Sequence, residues 1–400
     1  MTDDLRAIFH RHVCQTSPAP LGIVVARAAG STVWDTGGRA YLDLLAGMGV
    51  ANVGHTHPEV VAAVRAQLER HLHVMVYGEL VQEAQVRLAE RLAALLPPPL
   101  GVVYFTSSGA EAIEGALKTA RKHTGRRRLV AFAGGFHGDT FGALSVGGNA
   151  LYRAPFEPLL PDVDLLPFDD TRALGAIDER TAAVVVEPVQ AEGGVRIPSA
   201  DFLPALRARC DATGALLVLD EVVTGFGRTG RLFAHEHAGV VPDLLVLAKA
   251  LGGGLPLGAF VGAPAVMATL SRDPPLAHVT TFGGHPVSCA AGLAALGVLL
   301  RDDLPGRAAT LGAWLRARLG GLVGRGGLVA VRGVGLLLGL EFGAAADCAR
   351  FAGRALEQGL ILGWTLHHDR VIRLAPPLVL TDAEADEAVR RIEAALDIFS

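Results

Sequence analysis

Cysteine is scarce in this chain, net charge is small, and no apolar run is long enough to cross a bilayer. The four cysteines, Cys14, Cys210, Cys289 and Cys348, are scattered without the spacing of a metal site or a disulfide framework. They read as reduced thiols of a reducing compartment, which implies a cytoplasmic protein. A formal net charge of -4 gives no reason to expect a nucleic acid or an anionic membrane as partner. The longest apolar run, 286–300, falls short of a bilayer span and predicts a buried helix. Met1-Thr2-Asp3-Asp4-Leu5 is acidic with no apolar stretch behind it, which is not the pattern of a secretory leader. Repeats and low-complexity segments are missing as well.

What the chain does have is length and alternation. Its 400 residues suffice for two domains with a sizeable core. Between about 50 and 290, apolar strands alternate with helices, the pattern of a mainly parallel α/β sheet. Strands are expected over 102–105, 216–219 and 244–247, and a helix over 110–122. After 302–305 the composition changes. A long helix over 307–322, strand-like runs over 328–342 and 371–374, and a last helix from 382 describe a smaller α+β unit.

Lys249 carries the most chemistry. It follows the apolar run 244–247 and precedes Gly252-Gly253-Gly254, so it stands where a strand opens into a loop. A lysine in a partly desolvated pocket has a lowered pKa, and its amine can then attack a carbonyl. Alone, such a lysine is usually a solvated end-cap. Asp220, however, closes the run 216–219, where an unpaired carboxylate is costly and calls for a permanent cation. A protonated pyridine nitrogen is such a cation, and the pairing is that of pyridoxal phosphate (PLP). The same cofactor brings an aldehyde for Lys249 and a phosphate for a third site. Ser107-Ser108-Gly109, between a strand and a helix, offers free backbone N–H groups and a favourable dipole for that phosphate. By itself this turn reads as an ordinary N-cap; with Lys249 and Asp220 it reads as an anion site.

The wording of three segments resembles one family. Ser108-Gly109-Ala110-Glu111-Ala112-Ile113-Glu114-Gly115-Ala116-Leu117-Lys118, Asp220-Glu221-Val222-Val223-Thr224-Gly225-Phe226-Gly227-Arg228-Thr229-Gly230 and the stretch 249–258 look like the class III aminotransferases of the ornithine, acetylornithine and ω-amino acid type. The likeness covers nearly the whole chain, from Trp34-Asp35 to Arg373-Leu374-Ala375-Pro376-Pro377-Leu378. It implies the aspartate aminotransferase-like fold (type I): a large PLP-binding domain with a mainly parallel sheet over 51–300, a small domain over 301–400, and an N-terminal segment 1–50 that packs with the small domain.

The resemblance also implies a cofactor site. Ser108, Gly109 and Ala110 match the phosphate cup, although many members have a hydroxyl at Ala110. Phe136-His137-Gly138 matches a motif whose aromatic ring stacks on the pyridine. Glu187 opens the Glu-Pro segment beside the cofactor, Asp220 partners the ring nitrogen, Val222 packs on the other ring face, and Lys249 forms the Schiff base. Thr281 matches a threonine that reaches the phosphate of the neighbouring subunit, implying a homodimer with shared sites. Arg373 matches the arginine that grips a substrate α-carboxylate, and Glu192 a residue that pairs with it when that carboxylate is absent. The expected reaction is ping-pong transfer of an amino group from an amino acid or ω-amine to an α-keto acid, with Lys249 moving the proton. An epimerase, aminomutase or decarboxylase of the same family is the alternative, and then a non-catalytic binding protein.

Some residues depart from the ornithine pattern. Asp139 stands where an arginine often holds the distal carboxylate of glutamate, Val223 where glutamine is common, and His285 where asparagine is more usual. Met75, Tyr77 and Glu79 lie in a stretch that lines the substrate entrance in the family, so they are specificity candidates.

Other patterns carry less. Gly225-Phe226-Gly227-Arg228-Thr229-Gly230 spells a dinucleotide fingerprint, but five residues separate it from its strand and no helical run follows. His55-Thr56-His57 and His235-Glu236-His237 have alternate spacing, which does not converge on a metal, so they read as loop or core histidines. Arg121-Lys122 and Arg126-Arg127-Arg128 read as a solvated helix end and loop.

Overall fold

A computed structural model describes residues 4–397. Met1-Thr2-Asp3 of the opening and 398–400 at the end lie outside it. An antiparallel ribbon of β1 (Val25–Ala29), β2 (Thr32–Asp35) and β3 (Ala40–Asp43) comes first. The main sheet follows, built of β4 (Val102–Thr106), β5 (Arg128–Phe132), β6 (Val163–Leu166), β7 (Thr181–Val186), β8 (Leu216–Asp220), β9 (Leu244–Leu247) and β10 (Gly258–Gly262), in the order β4-β10-β9-β8-β7-β5-β6. β5 to β9 pair in parallel, while β10 runs antiparallel to both β4 and β9. β4 therefore points the same way as the parallel set.

Every residue of β7, β8 and β9 is buried, as expected of strands covered on both faces. Successive side chains alternate between two cores. Val184, Val186, Leu217, Leu219, Leu245 and Leu247 join one, whereas Ala183, Val185, Val218 and Val246 join the other. Burial of each such Val or Leu stabilises the fold by about 1.5–3 kcal/mol. The helix Pro286–Arg301 lies in the first core, as its apolar sequence predicts. No helix among the described residues is long and apolar enough to cross a membrane.

The remaining strands are β11 (Leu328–Val334), β12 (Leu337–Phe342), β13 (Leu360–Ile361), β14 (Gly363–Thr365) and β15 (His368–Leu374). Four of them form a sheet in the order β11-β12-β15-β14, and β13 pairs in parallel with β3, so the first ribbon is bonded to the C-terminal part. The run 328–342 is two strands, broken at Gly335-Leu336. The helix expected over 307–322 spans Leu304–Gly320. Pro305 does not precede it but occupies its first turn, where no N–H is needed, and Asp303 caps it by accepting from the Gly306 N–H.

The arginine run is not solvated as expected. Arg126 donates to the carbonyls of Thr181 and Thr213, and Arg128 pairs with Asp164 and Asp178 at 17% side-chain exposure; only Arg127 is exposed. The glycine-rich Gly225–Gly230 stretch wraps a buried guanidinium instead of a phosphate. Arg228 donates to Asn52 Oδ1 at 2.6 Å and to the Leu336 carbonyl at 3.0 Å, tying the early chain to the C-terminal sheet. His55 pairs with Asp43 at 2.7 Å and His235 with Glu221 at 2.9 Å. Among the described residues no group of three His, Cys, Asp or Glu is arranged to hold a metal.

Candidate active site

Parallel strands deliver their last residues to one edge of the sheet, where open α/β folds carry their sites. β4 ends at Thr106 before Ser107 and Ser108, β8 ends at Asp220, and β9 ends two residues before Lys249. These ends border a cavity of about 360 Å³ whose wall includes Ser108, Phe136, Asp220, Val222 and Lys249.

Lys249 sits at a backbone φ of 47°, the left-handed region that a residue with a Cβ adopts only under strain. Burial lowers its ammonium pKa below the ordinary lysine value, Asp220 opposes this, and Arg373 adds to it. No hydrogen bond or ion pair to another described residue restrains its amine. A partly desolvated, unencumbered amine is what an aldehyde-bearing group needs.

Asp220 and Glu221 divide the acidic pair between two tasks. Asp220 lines the cavity, accepting the His137 Nδ1–H at 2.7 Å and the Val222 N–H at 3.0 Å. Glu221 is wholly buried and accepts from the His235 N–H and ring. Burial by itself lowers the His137 pKa, but the hydrogen bond and charge of Asp220 outweigh it, and the net shift is upward. Glu187 is pushed up to about 7, chiefly by burial, with His137 opposing and Asp220 reinforcing. Its carboxylate accepts the N–H of Phe136 at 3.0 Å and of Ala191 at 3.2 Å, which fixes the backbone behind the Phe136 ring.

The helix Gly109–Thr124 starts at the cavity wall. Ser108 caps it by accepting the Glu111 N–H at 3.2 Å, and the Glu111 carboxylate accepts the Ser107 N–H at 2.8 Å. The N-cap reading of this turn is therefore also correct. The N–H groups of Gly109 and Ala110 lie in the first turn, where no intrahelical acceptor exists, and remain open to an anion. Gly138, at φ 121°, has to be glycine because a Cβ there would lie 2.5 Å from Ala110 Cβ.

Glu192 also lines the cavity, and its carboxylate is ion-paired with Arg373 of β15; both side chains are at most 5% exposed. Arg373 Nη2 is 3.8 Å from Met48 Sδ. Two expected site residues are elsewhere. Tyr77 borders a separate depression with Gln85, Phe105, Thr280 and Gly283, and Thr281 is exposed on the surface. The sequence reading missed Val50 and Pro256 on the cavity wall. An apolar lining residue has no signature that separates it from core, although Pro256 falls inside the matching 249–258 stretch.

These residues fit PLP. A cleft opening onto unpaired N–H groups suits its phosphate, a buried carboxylate its ring nitrogen, the Phe136 and Val222 surfaces its two faces, and the Lys249 amine its aldehyde.

Comparison with known proteins points the same way. The model of the family described as aminotransferase class-III matches residues 14–396. The acetylornithine aminotransferase of Methanosarcina acetivorans is 42% identical, over 93% of this chain and 91% of that protein. The putrescine aminotransferase of Pectobacterium atrosepticum is also 42% identical, over 96% of this chain and 84% of its own. The structure of an amine transaminase from an uncultivated Pseudomonas species, in its PLP-bound form, superposes with a TM-score of 0.89 at 33% identity, covering 96% of this chain and 97% of that one. The chain thus belongs to the class III aminotransferases, enzymes that use pyridoxal phosphate to move an amino group from a donor to a keto acid.

Proposed function

We propose that this aminotransferase accepts both amines lacking a carboxylate at the reacting carbon and α-amino or α-keto acids, and that Glu192 and Arg373 choose between them. The observation that carries this reading is their buried ion pair, whose Glu192 stands on the cavity wall together with Lys249. A guanidinium fork binds a carboxylate in bidentate fashion. With Glu192 on the fork, its charge is met and the cavity suits a carboxylate-free donor. With Glu192 turned aside, the fork takes a substrate α-carboxylate. Asp139, exposed next to the Phe136-His137-Gly138 wall, adds negative charge there and disfavours a dicarboxylic acceptor such as 2-oxoglutarate.

The cofactor, when bound, supplies an electron sink and an aldehyde through which the amino group is exchanged. Lys249 would anchor it, and its amine would carry the proton to and from the substrate carbon, a task suited to an amine of lowered pKa. Asp220, steadied by His137, would keep the ring nitrogen protonated. Ser108, Gly109 and Ala110 would hold the phosphate and Phe136 and Val222 would enclose the ring, with Glu187 fixing the Phe136 backbone.

The active unit in this reading is a homodimer in the cytoplasm, without nucleic-acid or membrane partners. Neither Thr281 nor Tyr77 lines its own cavity, both are exposed, and the nearby sequence carries the exposed apolar residues Leu72, Val81 and Phe282, of which Val81 is 92% exposed. Such an apolar face suits a second copy, to whose cavity Thr281 and Tyr77 then contribute. Four free cysteines agree with a reducing compartment. The separate sheets and the β3–β13 pairing support a division into 1–50, 51–300 and 301–400.

An absorbance titration of the purified holoenzyme with amino acids and ω-amines tests the reading. Bleaching of the lysine-linked cofactor band by both donor classes, and loss of that band in Lys249→Ala, is expected. A band that shifts with amines but never bleaches, or that persists in Lys249→Ala, refutes it.

A further inference from the structure

Glu192 is held by more than Arg373. Its Oε1 accepts from Arg373 Nη1, while its Oε2 accepts the backbone N–H of Leu366 at 3.0 Å. Leu366 and His367 form the two-residue turn between β14 and β15, and this turn reaches from the C-terminal sheet to Glu192 and Phe136 of the cavity wall. The His367 N–H donates to the Glu192 carbonyl at 3.0 Å. The His367 ring stands edge-on to Phe136, with centroids 5.8 Å apart, and its Nδ1 is 3.2 Å from the Gly134 carbonyl. Tyr152 closes the turn from outside, its hydroxyl donating to the Leu366 carbonyl at 2.7 Å.

We propose that this turn is a latch on Glu192, with Leu366, His367 and Tyr152 as positioning residues that set how readily Arg373 is released to a substrate carboxylate. The inference rests on the reading of Arg373 as the carboxylate site. For a substrate carboxylate to occupy the fork, Glu192 has to leave both of its partners, and one of these is a main-chain N–H that cannot follow the side chain. Hydrogen bonds to an ionised carboxylate are among the stronger ones, so this bond biases the enzyme against α-carboxylate ligands by roughly tenfold. A donor without a carboxylate leaves the latch closed and is indifferent to it. The turn is thus a specificity determinant remote in sequence from Lys249.

Calorimetric titration of the holoenzyme with pentanoate, which carries a carboxylate and no amine, tests the latch. Leu366→Pro removes the N–H at a position that is not among the positive-φ residues. Tyr152→Phe loosens the turn at a residue outside the cavity. Pentanoate is expected to bind about tenfold tighter in Leu366→Pro and a few-fold tighter in Tyr152→Phe, given the strength of one such bond. KM for an α-amino acid should fall in step, while KM for a carboxylate-free diamine stays put. Unchanged pentanoate affinity in both variants overturns the latch; should Leu366→Pro fail to fold, Tyr152→Phe decides alone. Glu192→Gln separates the two layers. Tighter pentanoate binding in Glu192→Gln alone refutes the latch and keeps the Arg373 reading, whereas no change in Glu192→Gln refutes both.

Discussion

His137 Nδ1 lies 2.7 Å from Asp220 Oδ2, with the two side chains 1% and 4% exposed. The imidazole holds the Asp220 carboxylate in place and shares its charge, and in the proposed function it would act on the cofactor through Asp220. Because Asp220 raises the folded-state pKa of His137 above its unfolded value, the imidazolium stabilises the fold most fully below about pH 6.5. That stability is lost as pH rises through the folded pKa. His137→Ala should weaken PLP retention about tenfold, the scale of one charge-assisted hydrogen bond, as measured by cofactor dialysis. The stability deficit of the cofactor-free variant in urea should shrink at alkaline pH; a pH-independent deficit rules the linkage out.

Glu187 gives a slope of the same sign from a different cause. Its carboxyl is pushed up to about 7 from the ordinary 4.5, mainly by burial. Between those values the unfolded chain has released a proton that the folded chain keeps, so rising pH destabilises the fold. Glu187→Gln should flatten this part of the profile in the cofactor-free protein, as followed by urea unfolding from pH 4.5 to 7. An unchanged slope would show that the proton sits elsewhere.

Arg373→Ala is expected to raise KM for α-carboxylate substrates by roughly 10- to 100-fold, the scale of a lost charged pair, and to spare simple amines. It should also destabilise the protein by about 3 kcal/mol, because Glu192 is left buried without its cation. Adding Glu192→Gln should restore most of that loss in thermal unfolding. Equal kinetic effects on both substrate classes would remove Arg373 from the carboxylate site.

Asp139→Asn should lower KM for 2-oxoglutarate by about two- to fivefold, in line with the strength of exposed charge interactions, and leave pyruvate unaffected. The effect should fade at high salt. A matching drop for pyruvate would point to a general change at the rim.

Thiol labelling separates the cysteines. Cys14 is exposed, whereas burial pushes Cys210, Cys289 and Cys348 up to about 12. A thiol reagent should modify one thiol in the native protein and all four after unfolding. Rapid native labelling of a second thiol would contradict the packing.

The sequence by itself determined the backbone frame of the site. Apolar runs that end abruptly in Asp220, in Lys249 and in Ser107-Ser108 mark strand ends, since a residue type and a burial period are both local properties. Tertiary structure decided what those residues touch. Which of Asp220 and Glu221 faces the cavity depends on the neighbours packed around β8, and the semblance of a solvated arginine run dissolved once β6 and β7 supplied Asp164 and main-chain carbonyls. The grip of Leu366 on Glu192 was illegible for a deeper reason. Its donor is a backbone N–H, which every residue but proline carries, so no choice of side chain announces it; only the path of the chain through space brings it within 3.0 Å of a carboxylate 174 residues away.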